Sequence, residues 1–127
     1  MLFDTDVIIW ALRGNKNAAS RIDNEGNLSI SAVSYMELVK GARDKRELKL
    51  IRLYLNDLRF AILPITENIS HRAMIYMEEY VLESGIEMAD ALIAATATEN
   101  SLCLCSSNYK HYKVIPNIQL LIFKSIK

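Results

Sequence analysis

The chain has 127 residues, 51% of them hydrophobic, and its 15 Lys+Arg balance 15 Asp+Glu, so the formal net charge is zero. A chain of this length buries roughly two-thirds of its unfolded surface in one core, and with only 4 Gly and 2 Pro it is neither disordered nor fibrous in composition. Its apolar stretches stop short of the ~18 residues that span a bilayer, and no basic segment followed by an apolar run opens it, so a single cytoplasmic domain over residues 1–127 is expected, with no membrane partner.

Met1-Leu2-Phe3 reads as a strand that breaks at Asp4-Thr5-Asp6, where an Asp or Thr caps a first helix through Leu12. Asn15 to Asn24 is a second short helix, Gly26-Asn27 a turn, and Leu28-Ser29-Ile30 a second strand running into Ser31, the cap of a helix over 32–42. Leu48, Ile51, Leu55 and Leu58 recur at helical spacing before a strand at Phe60–Leu63, closed by Pro64. Thr66 caps a long helix whose buried stripe is Ile69, Ala73, Tyr76, Met77, Tyr80 and Val81, and Ser84-Gly85 ends it. Residues 88–99 are strong helix formers, apolar on nearly every side, and predict a deeply buried helix. Leu102 to Cys105 is a strand, Ser106 to His111 a polar loop, and Gln119 to Phe123 the last strand. Strands alternating with helices predict an α/β layered domain with a mostly parallel central sheet flanked by helices. In such sheets ligands bind beyond the carboxyl ends of the strands, which directs attention to the polar residues there.

The zero net charge conceals a pattern. Residues 40–52 carry Lys40, Arg43, Lys45, Arg46, Lys49 and Arg52 against Asp44 and Glu47, and the tail from Asn100 holds Lys110, Lys113, Lys124 and Lys127 with no acid. Between Thr66 and Asp90 the balance inverts, with Glu67, Glu78, Glu79, Glu83, Glu87 and Asp90 facing Arg72. Solvated helix faces produce such clusters too. Cys103 and Cys105 read as reduced cysteines on one face of a strand, a Cys-x-Cys metal site being the alternative.

Three carboxylates stand where a purely structural reading strains. Asp4 follows the first strand, with Asp6 two residues on; Glu37 lies inside the helix 32–42; Asp90 lies two residues into the apolar helix. Each has an ordinary reading: Asp4 or Asp6 as a helix cap, Glu37 as an i, i+3 partner of Lys40, and Asp90 as a first-turn acid favoured by the helix dipole. Gathered in one partly buried pocket, however, carboxylates repel unless a cation neutralises them. Hard oxygen donors without His or Cys suit Mg²⁺ or Mn²⁺.

Four blocks carry a resemblance: Met1 to Asp6, Ile30 to Gly41, Met88 to Ala97, and Cys105 to Tyr112. In this order and spacing they resemble the PIN-domain family, and within it the VapC-like toxins of prokaryotic toxin–antitoxin pairs. The resemblance implies a three-layer PIN-like domain and a Mg²⁺- or Mn²⁺-dependent endoribonuclease with Asp4, Glu37 and Asp90 as its acidic centre. Asn108 falls where the family carries a fourth acid or an Asn, and Asp6 falls where it often has Asn, leaving Asp6 as a ligand, a contact to a metal-bound water, or a cap. On this view Asp4 and Asp90 hold the principal ion, Glu37 completes the shell or orients water, and Asn108 or Asp6 assists a second ion. Also implied are products with a 5′-phosphate and a 3′-hydroxyl, an RNA substrate with tRNA among the candidates, a cognate antitoxin covering the acidic site, and a homodimer.

An acidic pocket repels RNA, so basic residues must hold the strand. Lys40, Lys45 and Lys110 are the principal candidates, with Arg13 and Lys16 also near strand ends, while His111 reads more readily as a bystander. The Val7–Leu12 helix and the face around Tyr76 and Tyr80 read as core or as binding surface. Two other classes share the Asp4-Thr5-Asp6 pattern. A haloacid-dehalogenase-type phosphatase needs a late acidic pair at a strand end, where this chain has Cys105 and Phe123. A receiver-like signalling domain needs an Asp after a central strand, where Asp57 instead follows a helical pattern.

Overall fold

The computed structural model describes residues 1–126; Lys127, the last base of the acid-free tail, lies outside the described residues. Five parallel strands form the sheet in the order β3-β2-β1-β4-β5, where β1 is Leu2–Phe3, β2 Ser29–Ser31, β3 Ala61–Leu63, β4 Leu104–Ser106 and β5 Leu120–Ile122. Seven helices accompany them: α1 Thr5–Leu12, α2 Lys16–Asp23, α3 Ala32–Gly41, α4 Lys45–Asp57, α5 Glu67–Ser84, α6 Met88–Glu99 and α7 Tyr109–Tyr112.

The caps expected at Asp4, Ser31 and Thr66, and one at Asn15 that the structure adds, explain where the helices begin. Asp4 accepts from Thr5 N, Asn15 from Ala18 N, Ser31 from Val33 N and Thr66 from Ile69 N, each side-chain oxygen satisfying an amide that has no partner inside its helix. Gly85 ends α5 in the left-handed region at φ 69°, a conformation natural to glycine.

Two apolar clusters fill the faces of the sheet. One packs α5, α6 and Tyr112 against Leu2 and Leu104; the other packs α1, α2, α3 and α4 against Phe3, Ile30 and Cys105. Both side chains of the two-residue central strand β1 go to these cores, Leu2 on one face and Phe3 on the other, each without exposed surface.

The structure departs from the sequence-based expectation at three places. Helix α4 starts at Lys45 rather than near Leu48, because Asp44 caps it by accepting from Glu47 N. Strand β4 begins at Leu104 rather than Leu102, whose amide closes the exit of α6 on Ala97 O after Ser101 turns left-handed at φ 53°. The expected loop from Ser106 to His111 is a strand end followed by helix α7, because Tyr112 is drawn into the core with no exposed surface and forces one helical turn. The sheet itself is wholly parallel. No described helix is long and apolar enough to cross a membrane.

Candidate active site

The strand order places a functional centre before any residue is considered. From β1 the chain winds outward through β2 to β3, then returns to lay β4 on the other side of β1, so connections leave β1 in opposite directions and open a crevice at the carboxyl ends of β1 and β4. Asp4 stands at the end of β1 and Ser106 at the end of β4, and Ser106 Oγ donates to Asp4 Oδ2 at 2.7 Å. The cap reading of Asp4 also holds, for Thr5 N donates to its Oδ1 at 2.8 Å.

Asp90 arrives from the first turn of α6. The Tyr112 hydroxyl lies 3.0 Å from Asp4 Oδ2 and 3.4 Å from Asp90 Oδ1, so one phenol joins two acids that are 86 positions apart in the chain. Asp90 keeps part of its capping role, since Glu87 N donates to its Oδ2 at 3.3 Å. Glu37 accepts from Thr5 Oγ1 at 2.6 Å, so the acid on α3 is tied to the residue after Asp4. The i, i+3 pairing of Glu37 with Lys40 does not form among the described residues, because Glu37 Oε1 is turned toward Thr5 instead.

Asp6 does not cap α1. Its Oδ2 accepts from Ser107 N at 3.0 Å and from Ser107 Oγ, pinning the β4–α7 connection, and its Oδ1 is buried without a hydrogen-bond partner. Asn108 lies on that connection, with its backbone amide donating to Ser106 Oγ at 3.0 Å and its side chain 2.9 Å from His111 Nδ1. His111 is therefore no bystander, since Nδ1 also lies 2.7 Å from Asp90 Oδ2.

These contacts have an electrostatic consequence. Asp4 is 6% exposed, and burial together with the charge of Asp6 pushes its carboxyl up to about 7, although the donors Ser106, Thr5 and Tyr112 act in the other direction. Burial and the charges of Asp4 and Asp90 likewise push the Tyr112 phenol far up, so it stays a donor. Cys105 is buried and its thiol is pushed up to about 11, unsuited to holding metal as a thiolate.

A hard divalent cation suits the donors: carboxylate oxygens from Asp4, Asp90, Glu37 and Asp6, a buried Asp6 oxygen with no partner, and an Asp4 carboxylate whose ionisation is disfavoured by burial and then by Asp6. Among the described residues no three of these side chains already close around a point; the acids meet in pairs, through the Tyr112 hydroxyl and through Thr5.

Beside the acids runs a groove of about 620 Å³ lined by Ile9, Leu12, Leu38, Leu50 and Ile51, with Arg13, Arg43, Glu37 and Glu47 among its polar residues. Glu37 thus belongs to both the acid cluster and the groove. Of the candidate strand-holding bases, Lys40, Lys45 and Lys110 are all exposed, Lys40 on α3 three residues beyond Glu37, Lys45 at the start of α4, and Lys110 on α7. It is Arg13 and Arg43, however, that share the groove with Glu37. The α1 face divides: Val7 and Ile8 are core, Ile9 and Leu12 line the groove, and Tyr76 is core at 6% exposure.

A family model for the PIN domain matches residues 1–115 of this chain. Ribonuclease VapC10 of Mycobacterium tuberculosis is 34% identical over 123 residues, covering 94% of this chain and 90% of that protein. A toxin–antitoxin complex from Klebsiella pneumoniae contains a chain of the same fold, with a TM-score of 0.80 and 28% identity over 94% of each chain. The DNA-bound VapBC structure from Salmonella typhimurium, at 21% identity and a TM-score of 0.82 over 95% of this chain and 96% of that one, agrees in fold. With the switch-point crevice, its converging acids and these relatives taken together, the chain belongs to the PIN domain family.

Proposed function

We propose that the protein is a metal-dependent endoribonuclease, the cytoplasmic toxin of a toxin–antitoxin pair, cutting RNA at the crevice between β1 and β4. The observation that carries this reading is the Tyr112 hydroxyl shared by Asp4 and Asp90: it brings two acids from distant elements to one point at the carboxyl edge of the sheet. The kinship with VapC10, a ribonuclease by name, supports RNA as the substrate.

Asp4 and Asp90 would hold the principal Mg²⁺ or Mn²⁺, with Glu37 and Asp6 as further ligands. When bound, the ion supplies charge stabilisation at the phosphate and a water acidic enough to attack near neutral pH. The chain's own groups do the rest. Thr5 holds Glu37 at 2.6 Å so that its free oxygen can orient the attacking water. Asn108 presents a neutral amide where a further carboxylate would add repulsion. Lys40, Lys45 and Lys110 hold the strand through its phosphates, contacts that carry no sequence information and weaken with salt. Water attacks phosphorus and the 3′ oxygen leaves with a proton, giving a 5′-phosphate and a 3′-hydroxyl.

A toxin must be restrained. The groove beside Glu37 suits an antitoxin segment with an apolar stripe, and the Klebsiella pneumoniae relative is itself described as a toxin–antitoxin complex. A homodimer is also proposed, supported by the exposed Met74 and Leu82 on α5, at 61% and 98%. Sedimentation is expected to give twice the 14.4 kDa chain mass, and a species of 14.4 kDa alone would refute the dimer.

The functional test is direct. Purified protein with Mn²⁺ is expected to cut total RNA and to leave acetyl phosphate and chromogenic phosphomonoesters untouched. Phosphomonoester turnover with intact RNA would instead support a phosphatase. Mapping 5′ ends after induced expression then identifies the RNA, with initiator tRNA as the first sequence to inspect.

A further inference from the structure

Two consecutive residues of α7 reach Asp90 from opposite sides. The Tyr112 hydroxyl faces Oδ1 at 3.4 Å, and His111 Nδ1 faces Oδ2 at 2.7 Å. A carboxylate oxygen only accepts, so the hydrogen in the second contact sits on Nδ1. Asn108 Nδ2 lies 2.9 Å from that same nitrogen. With the hydrogen on Nδ1 that is a donor facing a donor, which a half-turn of the amide relieves by bringing Oδ1 to the ring.

Asp90 Oδ2 has a rival partner. Glu87 N donates to it from 3.3 Å, the contact a first-turn acid makes when it merely caps its own helix. His111 is closer, and the segment around it has anchors besides Asp90. The segment that carries it is anchored by Asp6 to Ser107, by Ser106 Oγ to Asn108 N, and by the wholly buried Tyr112. Oδ2 thus accepts both from the helix cap and from the ring, and the contact to the ring is the shorter.

We infer that His111 is the positioning residue of Asp90, holding the carboxylate that faces Asp4 across the Tyr112 hydroxyl. The role rests on the metal-site reading above and adds a residue to it: His111 acts through Asp90, as a hydrogen-bond donor and not as a ligand.

Substitutions that separate shape from hydrogen bonding test this. His111→Phe keeps a ring and removes the donor. His111→Asn loses the ring but returns an N–H at the same remove from the backbone. Mn²⁺ binding, followed by the electron paramagnetic resonance signal of the free ion, is expected to weaken about 10- to 100-fold in His111→Phe and to stay within about threefold of the parent in His111→Asn, the range typical of partners that orient a metal ligand. RNA cleavage should follow the same order, with the loss recovered at raised Mn²⁺. Equal weakening in both variants, or parental affinity in His111→Phe, would overturn the inference. Asp90→Asn keeps the two possible failures apart. If it binds Mn²⁺ as the parent does, the metal-site reading itself is wrong, whatever the His111 variants show.

Discussion

Replacing Asp4 by Asn is expected to abolish RNA cleavage and, in chelator, to make the protein more stable. The first effect follows from losing a charged ligand: several kcal/mol of transition-state stabilisation disappear, so activity should fall by at least ~10³-fold. The second follows from burial. With its carboxyl pushed from 3.8 up to about 7, ionising Asp4 in the folded chain costs on the order of 4 kcal/mol more than in the unfolded chain. Asn removes that cost without opening a cavity. Its oxygen can still accept from Thr5 N, and the Ser106 and Tyr112 hydroxyls, which now donate to Oδ2, can turn to accept from the amide. Thermal unfolding at pH 8 in EDTA should show a Tm higher by about 5 °C or more. A Tm lowered by several degrees would mean that Asp4 is a structural acid.

The loss of stability with rising pH is expected to be largely offset when a divalent ion is added. Because the folded pKa of Asp4 is raised, its contribution is fully present below about 3.8 and is lost as pH rises through about 7. In EDTA the parent should therefore lose stability between pH 5 and pH 7.5, and Asp4→Asn should not. The exposed Glu47 works oppositely: its hydrogen bonds with Arg43 hold it down to about 2, so its small contribution is present above about 4.5 and is lost on acidification below that. Its titration lies outside the window from pH 5 to pH 7.5, and within that window the difference between the parent and Asp4→Asn isolates Asp4 from the two histidines. A saturating ion binds only the folded, ionised site and adds about 2.7 kcal/mol at a hundred times its Kd. With Mn²⁺ the parent should thus gain most at the higher pH. An equal gain at pH 5 and pH 7.5 would show the ion binding elsewhere.

Much of this was legible in the chain itself. Alternating apolar runs gave the parallel sheet, and Asp4, Ser31 and Thr66 announced their helices because capping is a local bargain between a side chain and the next few amides. The convergence of Asp4 with Asp90 could be inferred only from the ordered blocks, since nothing local to either residue reveals a partner 86 positions away. Helix α7 escaped detection for a related reason: Ser106 to His111 is polar in composition, and what makes the segment helical is the burial of Tyr112, a tertiary effect. The i, i+3 spacing of Tyr112 and Ile115, both buried, is the signal the chain offers. Nothing in the loop's sequence marks His111, because a histidine's role depends on what its ring nitrogens meet. The balanced charge of the whole chain was uninformative, for it sums acids gathered at a crevice and bases spread over α3, α4 and the tail.

The chemistry of the cut ends tests the account most directly. If the proposed site directs water to phosphorus with the 3′ oxygen as leaving group, fragments made by the purified protein with Mn²⁺ should carry 5′-phosphates and 3′-hydroxyls, and EDTA should prevent them from forming. Fragments ending in 2′,3′-cyclic phosphate, or cleavage that persists in EDTA, would show that the RNA's own 2′-hydroxyl attacks and that Asp4, Glu37 and Asp90 are not a metal centre.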